Sequence, residues 1–123
     1  MRIHKPSEHL EQVKLFNWAE LSEKKYPQLR NMFAIANGGH RHLFVAKKLK
    51  SEGVRKGVLD IFLGHPTEKY SGLFIEMKFG RNKLTKEQKE WTERLTQAGY
   101  KCLLCYSFEE ARDEILNYLK EGE

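Results

Sequence analysis

The sequence has few of the features that stabilise secreted or membrane-bound proteins. Its 123 residues include only two cysteines, too few for a disulfide framework. No stretch approaches the roughly 20 consecutive apolar residues of a membrane span. The first residues also lack the apolar core of a secretory signal. We therefore expect one domain over residues 1–123, located in the cytoplasm and without a membrane partner.

The two cysteines, Cys102 and Cys105, have a spacing that also occurs in zinc sites. A structural zinc site needs four ligands, and the chain has no second cysteine pair to supply them. The surrounding residues read as a strand, where positions three apart point to opposite faces. Buried, reduced thiols are therefore the favoured interpretation.

Positive charge is concentrated in one part of the chain. Residues 109–123 hold six acids and two bases, so the first 108 residues carry 20 bases against 11 acids, a net +9. The basic side chains are densest within residues 40–56: Arg41, Lys47, Lys48, Lys50, Arg55 and Lys56, supported by His40 and His42. This density fits the binding of a polyanion such as a nucleic-acid backbone, with a solvated helix face as the alternative.

Hydrophobic periodicity and turn residues predict alternating helices and strands. Four helices are expected: from Ser7 to about residue 24, over 43–52, from Thr85 to just before Gly99, and from Ser107 onward. Trp91, on the third of these helices, is expected to lie in the core. Strands are expected over 32–36, 58–63, 73–78 and 101–106, the first followed by a turn at 37–39. The order α-β-α-β-β-α-β-α predicts an α/β fold, a mixed sheet with helices on both faces.

Two carboxylates lie inside apolar strand segments. Asp60 lies within residues 58–63, and Glu76 follows sixteen residues later, two positions before Lys78. If residues 65–71 form a hairpin turn, Asp60 lies beside Glu76, and Lys78 projects on the same face as Glu76. Adjacent buried acids repel each other, and a divalent cation removes that repulsion. The pattern therefore favours a metal-dependent phosphodiesterase site over a solvated strand face.

These segments resemble the VRR-NUC domain of the PD-(D/E)xK nuclease superfamily, in the stand-alone form found in phages and bacteria. The resemblance covers nearly the whole chain and rests on residues 37–39, 46–60, 72–78 and 84–91. The family's Val-Arg-Arg triplet reads Val54-Arg55-Lys56 here, and Leu59 stands where the superfamily signature has proline. The resemblance implies a restriction-endonuclease-like α-β-β-β-α-β core flanked by helices.

The resemblance also implies a ligand set for a metal ion. Asp60 and Glu76 would bind Mg²⁺ or Mn²⁺, together with the backbone carbonyl of Met77. Lys78 would position the attacking water or stabilise the transition state.

The resemblance further implies an acid on the first helix that contributes directly or through water. Glu8, one helical turn before Gln12, is preferred over Glu11 for that acid. Gln88 has two open interpretations: it caps its own helix through Thr85, or it faces the site.

The activity implied is that of a metal-dependent, structure-selective DNA endonuclease, similar to a Holliday-junction resolvase. The stand-alone members that the chain resembles are thought to act as homodimers on four-way junctions. Because these members occur in phages and bacteria, the resemblance also implies a bacterial or phage-infected host cell. Two other function classes remain open. One is a nucleic-acid-binding module with the same fold that does not cleave, and the other is a partner-binding protein whose acids form ordinary salt bridges.

Overall fold

The fold is seen in a computed structural model that describes residues 7–36 and 43–121. Its helices are α1 (Glu8–Leu21), α2 (Leu43–Ser51), α3 (Lys86–Gln97) and α4 (Phe108–Glu121), with a 3-10 helix at Pro27–Asn31. Its strands are β1 (Met32–Ala34), β2 (Ile61–Leu63), β3 (Leu73–Met77) and β4 (Lys101–Cys105). The predicted α/β order is confirmed, while the predicted turn at 37–39 lies outside the described residues. No helix in the two described ranges is long and apolar enough to cross a membrane.

The four strands form one mixed sheet in the order β1-β2-β3-β4. Strand β2 pairs antiparallel with both β1 and β3, whereas β3 and β4 run parallel. Parallel neighbours need a crossover connection, and α3 supplies it between β3 and β4. The strands next to Asp60 and around Glu76 are therefore the two central ones, as the apolar sequence predicted.

The hydrophobic core lies between one face of the sheet and helices α1 and α4. Alternate residues of the central strands point into it, and these are fully buried: Ile61, Leu63, Leu73, Ile75 and Met77. Leu15 of α1 and Ile115 and Tyr118 of α4 cover them from the other side. The intervening residues of β3, Phe74 and Glu76, therefore point to the opposite face, where α3 packs.

The strand boundaries differ from the predicted ones at the two ends that flank the acids. Strand β2 begins at Ile61 rather than at residue 58, because Asp60 Oδ2 accepts the Met77 N–H at 2.9 Å in place of a backbone ladder bond. Strand β3 ends at Met77, although the Lys78 N–H still donates to the Cys105 carbonyl at 2.9 Å. Asp60 and Glu76 still lie beside each other as predicted, although both strands are shorter than expected.

The prediction of a core position for Trp91 was wrong. No residue of α3 is fully buried, and the Trp91 indole is half-buried with its Nε1 donating to the Lys56 carbonyl at 3.0 Å. Trp91 therefore belongs to the half-buried face of α3 and not to the core.

The cysteines follow the predicted alternation. Cys105 is fully buried, Cys102 is half-buried, and both are free thiols. Burial raises the pKa of the Cys105 thiol to about 12, which makes it an unreactive core residue.

Candidate metal centre and nucleic-acid interface

Asp60 and Glu76 meet at the edge of the paired region of β2 and β3. Ile61 pairs with Ile75, so the antiparallel register places Asp60 directly opposite Glu76. The Asp60 carboxylate is fixed by the Met77 N–H, and its backbone carbonyl accepts the Ile35 N–H at 2.7 Å. The Glu76 residue is only 3% exposed. Glu76 is therefore desolvated, and the half-buried Asp60 is held beside it.

The charge state of Glu76 reflects this enclosure. Burial is the largest cause that raises its pKa, followed by the negative charge of Asp60 and a shared hydrogen bond with that carboxyl group. Lys78 acts in the opposite direction, and the pKa of Glu76 is about 8. Without additional positive charge, this side chain therefore holds a proton at neutral pH.

The two oxygens of the Glu76 carboxylate have different surroundings. Oε2 accepts a hydrogen bond from Gln88 Nε2 at 3.0 Å and lies 3.7 Å from Lys78 Nζ. Oε1 is buried and accepts no hydrogen bond from any described residue. A buried acceptor left without a partner is destabilising, and such atoms are rare in native proteins. Oε1 is therefore the atom that a cation would satisfy.

The donor set fits a hard cation. Within residues 7–36 and 43–121, no group of three or more Asp, Glu, His or Cys side chains converges into a metal site, so the structure does not bring Glu8 together with Asp60 and Glu76 as a third ligand. Mg²⁺ is commonly held by one or two carboxylates together with water and substrate phosphate. The Met77 backbone belongs to the same cluster, because its N–H is bound to Asp60. Two carboxylates beside this backbone fit Mg²⁺ or Mn²⁺.

The two candidate acids of α1 occupy different places. Glu8 lies in the first turn, and its negative charge contributes to the raised pKa of Glu76. Glu11 is 8% exposed and accepts hydrogen bonds from the Phe108 N–H at 3.0 Å and from Lys14 Nζ at 2.9 Å. These bonds, the first above all, lower the pKa of Glu11. Glu11 thus joins α1 to the start of α4, and Glu8 is the acid whose charge reaches the pair.

Gln88 performs both of the tasks that the sequence left as alternatives. Its Oε1 accepts the Thr85 N–H at 2.8 Å while its own N–H donates to Thr85 Oγ1 at 3.2 Å, which completes a capping box. Its Nε2 donates to Glu76 at the other end of the same amide. Because a backbone N–H can only donate, the Thr85 bond fixes which end of the amide is oxygen.

The predicted nucleic-acid-binding side chains are exposed around α2 and the loop that follows it. Lys47, Lys48 and Lys50 lie on α2, and Arg55 and Lys56 lie in the loop. Lys56 Nζ is 3.8 Å from Glu87 Oε1 on α3. Arg41, His40 and His42 lie outside the part of the chain that the structure describes.

Sequence reasoning missed Arg94. Its guanidinium lies 4.2 Å from the centroid of the Trp91 ring, beside the same basic loop. The i, i+3 spacing of the two residues on one helix was the signal that could have indicated the contact.

Comparisons with known proteins identify the family and support the fold. The family model of the VRR-NUC domain matches residues 2–109. A solved structure described as a VRR_NUC domain protein is similar to this chain, with a TM-score of 0.81 and 26% sequence identity. That similarity covers 98% of this chain and 94% of the other. A search of curated proteins found no match.

Proposed function

The chain belongs to the VRR-NUC domain family, which makes it a nuclease-type domain, and from that premise we propose that it is a metal-dependent endonuclease that hydrolyses DNA phosphodiester bonds. The observation that carries the proposal is the Glu76 carboxylate, buried beside Asp60 with Oε1 lacking a partner among the described residues. Two acids held next to each other repel when both are ionised, and a bound divalent cation would remove that repulsion.

Asp60 and Glu76 would hold Mg²⁺ or Mn²⁺, with the Met77 backbone carbonyl and, through water, Glu8. When bound, the ion would stabilise charge on the phosphoryl oxygens and lower the pKa of a bound water. Gln88 supports this proposal by holding Oε2 of Glu76, which would leave Oε1 available to the ion. The chain supplies a positioned carboxylate, so little rearrangement is needed when the substrate binds.

Lys78 contributes a positive charge next to the carboxylate pair. Its side chain is only 12% exposed and its Nζ lies 3.7 Å from Glu76 Oε2. An ammonium group held in a desolvated position interacts strongly with a phosphate that gains charge in the transition state. We assign it the positioning of the attacking water or the stabilisation of that charge.

The substrate in this proposal is branched DNA, with a four-way junction cut in the manner of a Holliday-junction resolvase. Lys47, Lys48, Lys50, Arg55 and Lys56, together with Arg41, would hold the flanking phosphates. The enzyme would act as a homodimer in the cytoplasm of a bacterial or phage-infected cell. The two free thiols support a reducing compartment.

A cleavage assay with four-way junction and linear duplex DNA tests the proposal. Cleavage should require Mg²⁺ or Mn²⁺, and Asp60→Ala and Glu76→Ala should each abolish it while DNA affinity is retained, because the basic side chains supply most of that affinity. Lys78→Ala should lower the single-turnover rate by several orders of magnitude, and Lys78→Arg should not restore it, since a planar fork differs from a compact ammonium.

Glu90→Gln provides a matched control, because Glu90 is an exposed acid of α3 with no assigned role. It should cleave like the wild type. Near wild-type cleavage by either Asp60→Ala or Glu76→Ala would reject the assigned site. Tight DNA binding with no cleavage in either metal would instead identify a non-cleaving module of the same fold.

A further inference from the structure

A cleft separates α2 from α3 on the basic side of the molecule. It has a volume of about 440 Å³ and contains both apolar and charged lining residues. Its apolar part consists of Ala46, Leu49, Val54 and the Trp91 indole. This volume falls in the range of pockets that hold small ligands.

Four cations line the same cleft. They come from three segments: Lys50 from α2, Arg55 and Lys56 from the loop, and Arg94 from α3. None of the described lining residues is acidic, and the nearest paired acid, Glu87, contacts Lys56 from outside the cleft. An apolar floor with a cationic rim matches a ligand that has a flat apolar body and attached negative charge.

The aromatic wall of the cleft is held in a fixed orientation. The Trp91 N–H donates to the Lys56 carbonyl at 3.0 Å, and the Arg94 guanidinium covers the ring at 4.2 Å. Gly57 allows the loop to lie close to the start of α3, because it has φ +88° and a Cβ there would lie 2.5 Å from Glu87 Cβ. The indole and the guanidinium together form a surface on which another flat ring can stack.

The cleft lies close to the carboxylate pair. Gln88, which contacts Glu76, precedes Trp91 by three residues on α3. With a rise of about 1.5 Å per helical residue, the cleft begins about one helical turn from the site. A DNA strand with its scissile phosphate at the carboxylates would therefore place a nearby nucleotide in the cleft. That nucleotide would lie one or two positions from the scissile phosphate.

We propose that the cleft binds an unpaired nucleotide of the substrate strand, next to the position of cleavage. The base stacks on the Trp91 and Arg94 surface, and the adjoining phosphates contact Lys50, Arg55 and Lys56. This inference deepens the proposed function and rests on it for the identity of the ligand as part of a nuclease substrate.

The aromatic surface is what favours an unpaired nucleotide over duplex DNA. Lysine and arginine side chains contact any phosphate backbone, paired or not. A base inside a duplex already has both faces stacked, whereas an unpaired base can place one face on an aromatic side chain or a guanidinium. An acidic peptide would use the cations alone and would leave the indole and the apolar floor without a partner.

Fluorescence of Trp91 tests the proposal directly. The chain has two tryptophans, so Trp18→Phe leaves Trp91 as the single indole while keeping a ring against Phe108. The full-length variant is titrated in EDTA with a single-stranded oligothymidylate of about ten nucleotides, with a blunt hairpin duplex and with oligoglutamate. We expect the single strand to quench the fluorescence and the other two to leave it nearly unchanged.

A second measurement compares affinities by fluorescence anisotropy of labelled DNA. Arg94→Ala and Trp91→Leu should weaken single-strand binding about five- to a hundredfold, the range expected for one stacked base, with much less effect on duplex. Trp91→Phe should retain most of the affinity although it also loses the bond to Lys56. Lys89→Ala, a charge loss at an exposed α3 residue outside the cleft, should affect both DNA forms equally.

Three results would overturn the inference. The first is equal quenching by duplex and single strand, and the second is an equal loss of affinity for both DNA forms in Arg94→Ala. The third is quenching by oligoglutamate at similar affinity, which would assign the cleft to an acidic peptide. Because the assays contain no metal, they are independent of cleavage. Selective quenching by a protein that never cuts DNA would refute the proposed nuclease activity and retain the nucleotide site.

Discussion

The protonation of Glu76 links the folded stability of the protein to pH. Its pKa is about 8 in the folded state against an ordinary value of 4.5. Between those values the folded protein binds more protons than the unfolded chain, so the free energy of unfolding of the metal-free protein should fall as pH rises. Glu76→Gln should remove this contribution and be more stable than the wild type at pH 8.

Urea unfolding in EDTA at about pH 5, 6.5 and 8 measures the effect. The stability difference between Glu76→Gln and the wild type should widen with pH, and Mg²⁺ should stabilise the wild type more than the variant. Two parallel stability profiles across this range would show that Glu76 is ionised alike in the folded and unfolded states.

Substitutions of Glu8 and Glu11, the two candidate acids of α1, should have different effects on cleavage and on stability. Glu8→Gln should reduce cleavage because it removes the acid that we propose to contribute to the metal site through water. It should leave stability nearly unchanged, because the charge of Glu8 raises the pKa of Glu76 and does not stabilise the metal-free pair. Glu11→Ala should cost about 1 kcal/mol of stability, since it leaves the part-buried Phe108 N–H without its acceptor. The lowered pKa of Glu11 also means that its contribution is present above pH 4.5 and is lost as pH falls through the folded-state pKa.

Thermal unfolding and single-turnover cleavage, measured on the same preparations, check this assignment. Normal cleavage by Glu8→Gln together with loss of activity in a folded Glu11 variant would reverse the roles.

At the residue scale, the sequence was sufficient to predict that Asp60 and Glu76 meet, because strand alternation and one hairpin determine it. It could not show that Gln88 caps a helix and holds Glu76 at once. The two roles use different atoms of one amide, and a sequence pattern carries no information on which atom faces which partner.

At the scale of the element, the start of α3 is also part of the site. Gln88→Glu keeps an oxygen that can accept the Thr85 N–H, but it replaces the donor to Glu76 with a second negative charge. We expect nearly unchanged helix stability, a further raised pKa of Glu76 and a lower rate of cleavage. Gln88→Ala should lose both functions, with a stability cost of about 1 kcal/mol for the cap.

Circular dichroism during unfolding and cleavage rates at several pH values distinguish the two variants. The rate of Gln88→Glu should recover towards high pH, where Glu76 loses its proton. Wild-type rates in both variants would show that the amide serves the helix alone.

The type and order of the elements could be predicted, and their ends could not. Strand β2 begins three residues after the start of its apolar run because Asp60 bonds through its side chain. Similarly, Ser107 accepts the Glu110 N–H as in a capping box, but the Glu110 carboxylate reaches back to the N–H of Tyr106. The ends of these elements depend on which neighbouring group lies within hydrogen-bonding distance, and the packing of the folded chain determines that group.

At the scale of the whole molecule, we expect a homodimer that prefers branched DNA. A domain of 14.5 kDa covers little nucleic acid, and one active centre makes one cut. Two-fold association is the common assembly of small proteins, and it would present two sites to symmetrically related strands of a junction. Light scattering should give twice the chain mass, and four-way junctions should be cut faster than linear duplex.

These two measurements test the dimer and the substrate preference independently. A monomer at micromolar concentration that still makes paired, symmetric nicks would exclude the dimer. Equal rates on linear duplex and four-way junction would exclude the substrate preference.

The position of the two acids within one hairpin has a consequence for the order in which the chain assembles. Short hairpins close in about 1–10 μs, whereas the parallel pairing of β3 with β4 must wait for the α3 crossover. The repelling carboxylates are thus neighbours before Gln88, twelve residues further along the chain, can reach Glu76. During synthesis the ribosome likewise releases the two acids first and Gln88 later, so the nascent hairpin passes through a stage in which Lys78, solvent or a cation must shield its charge without the amide.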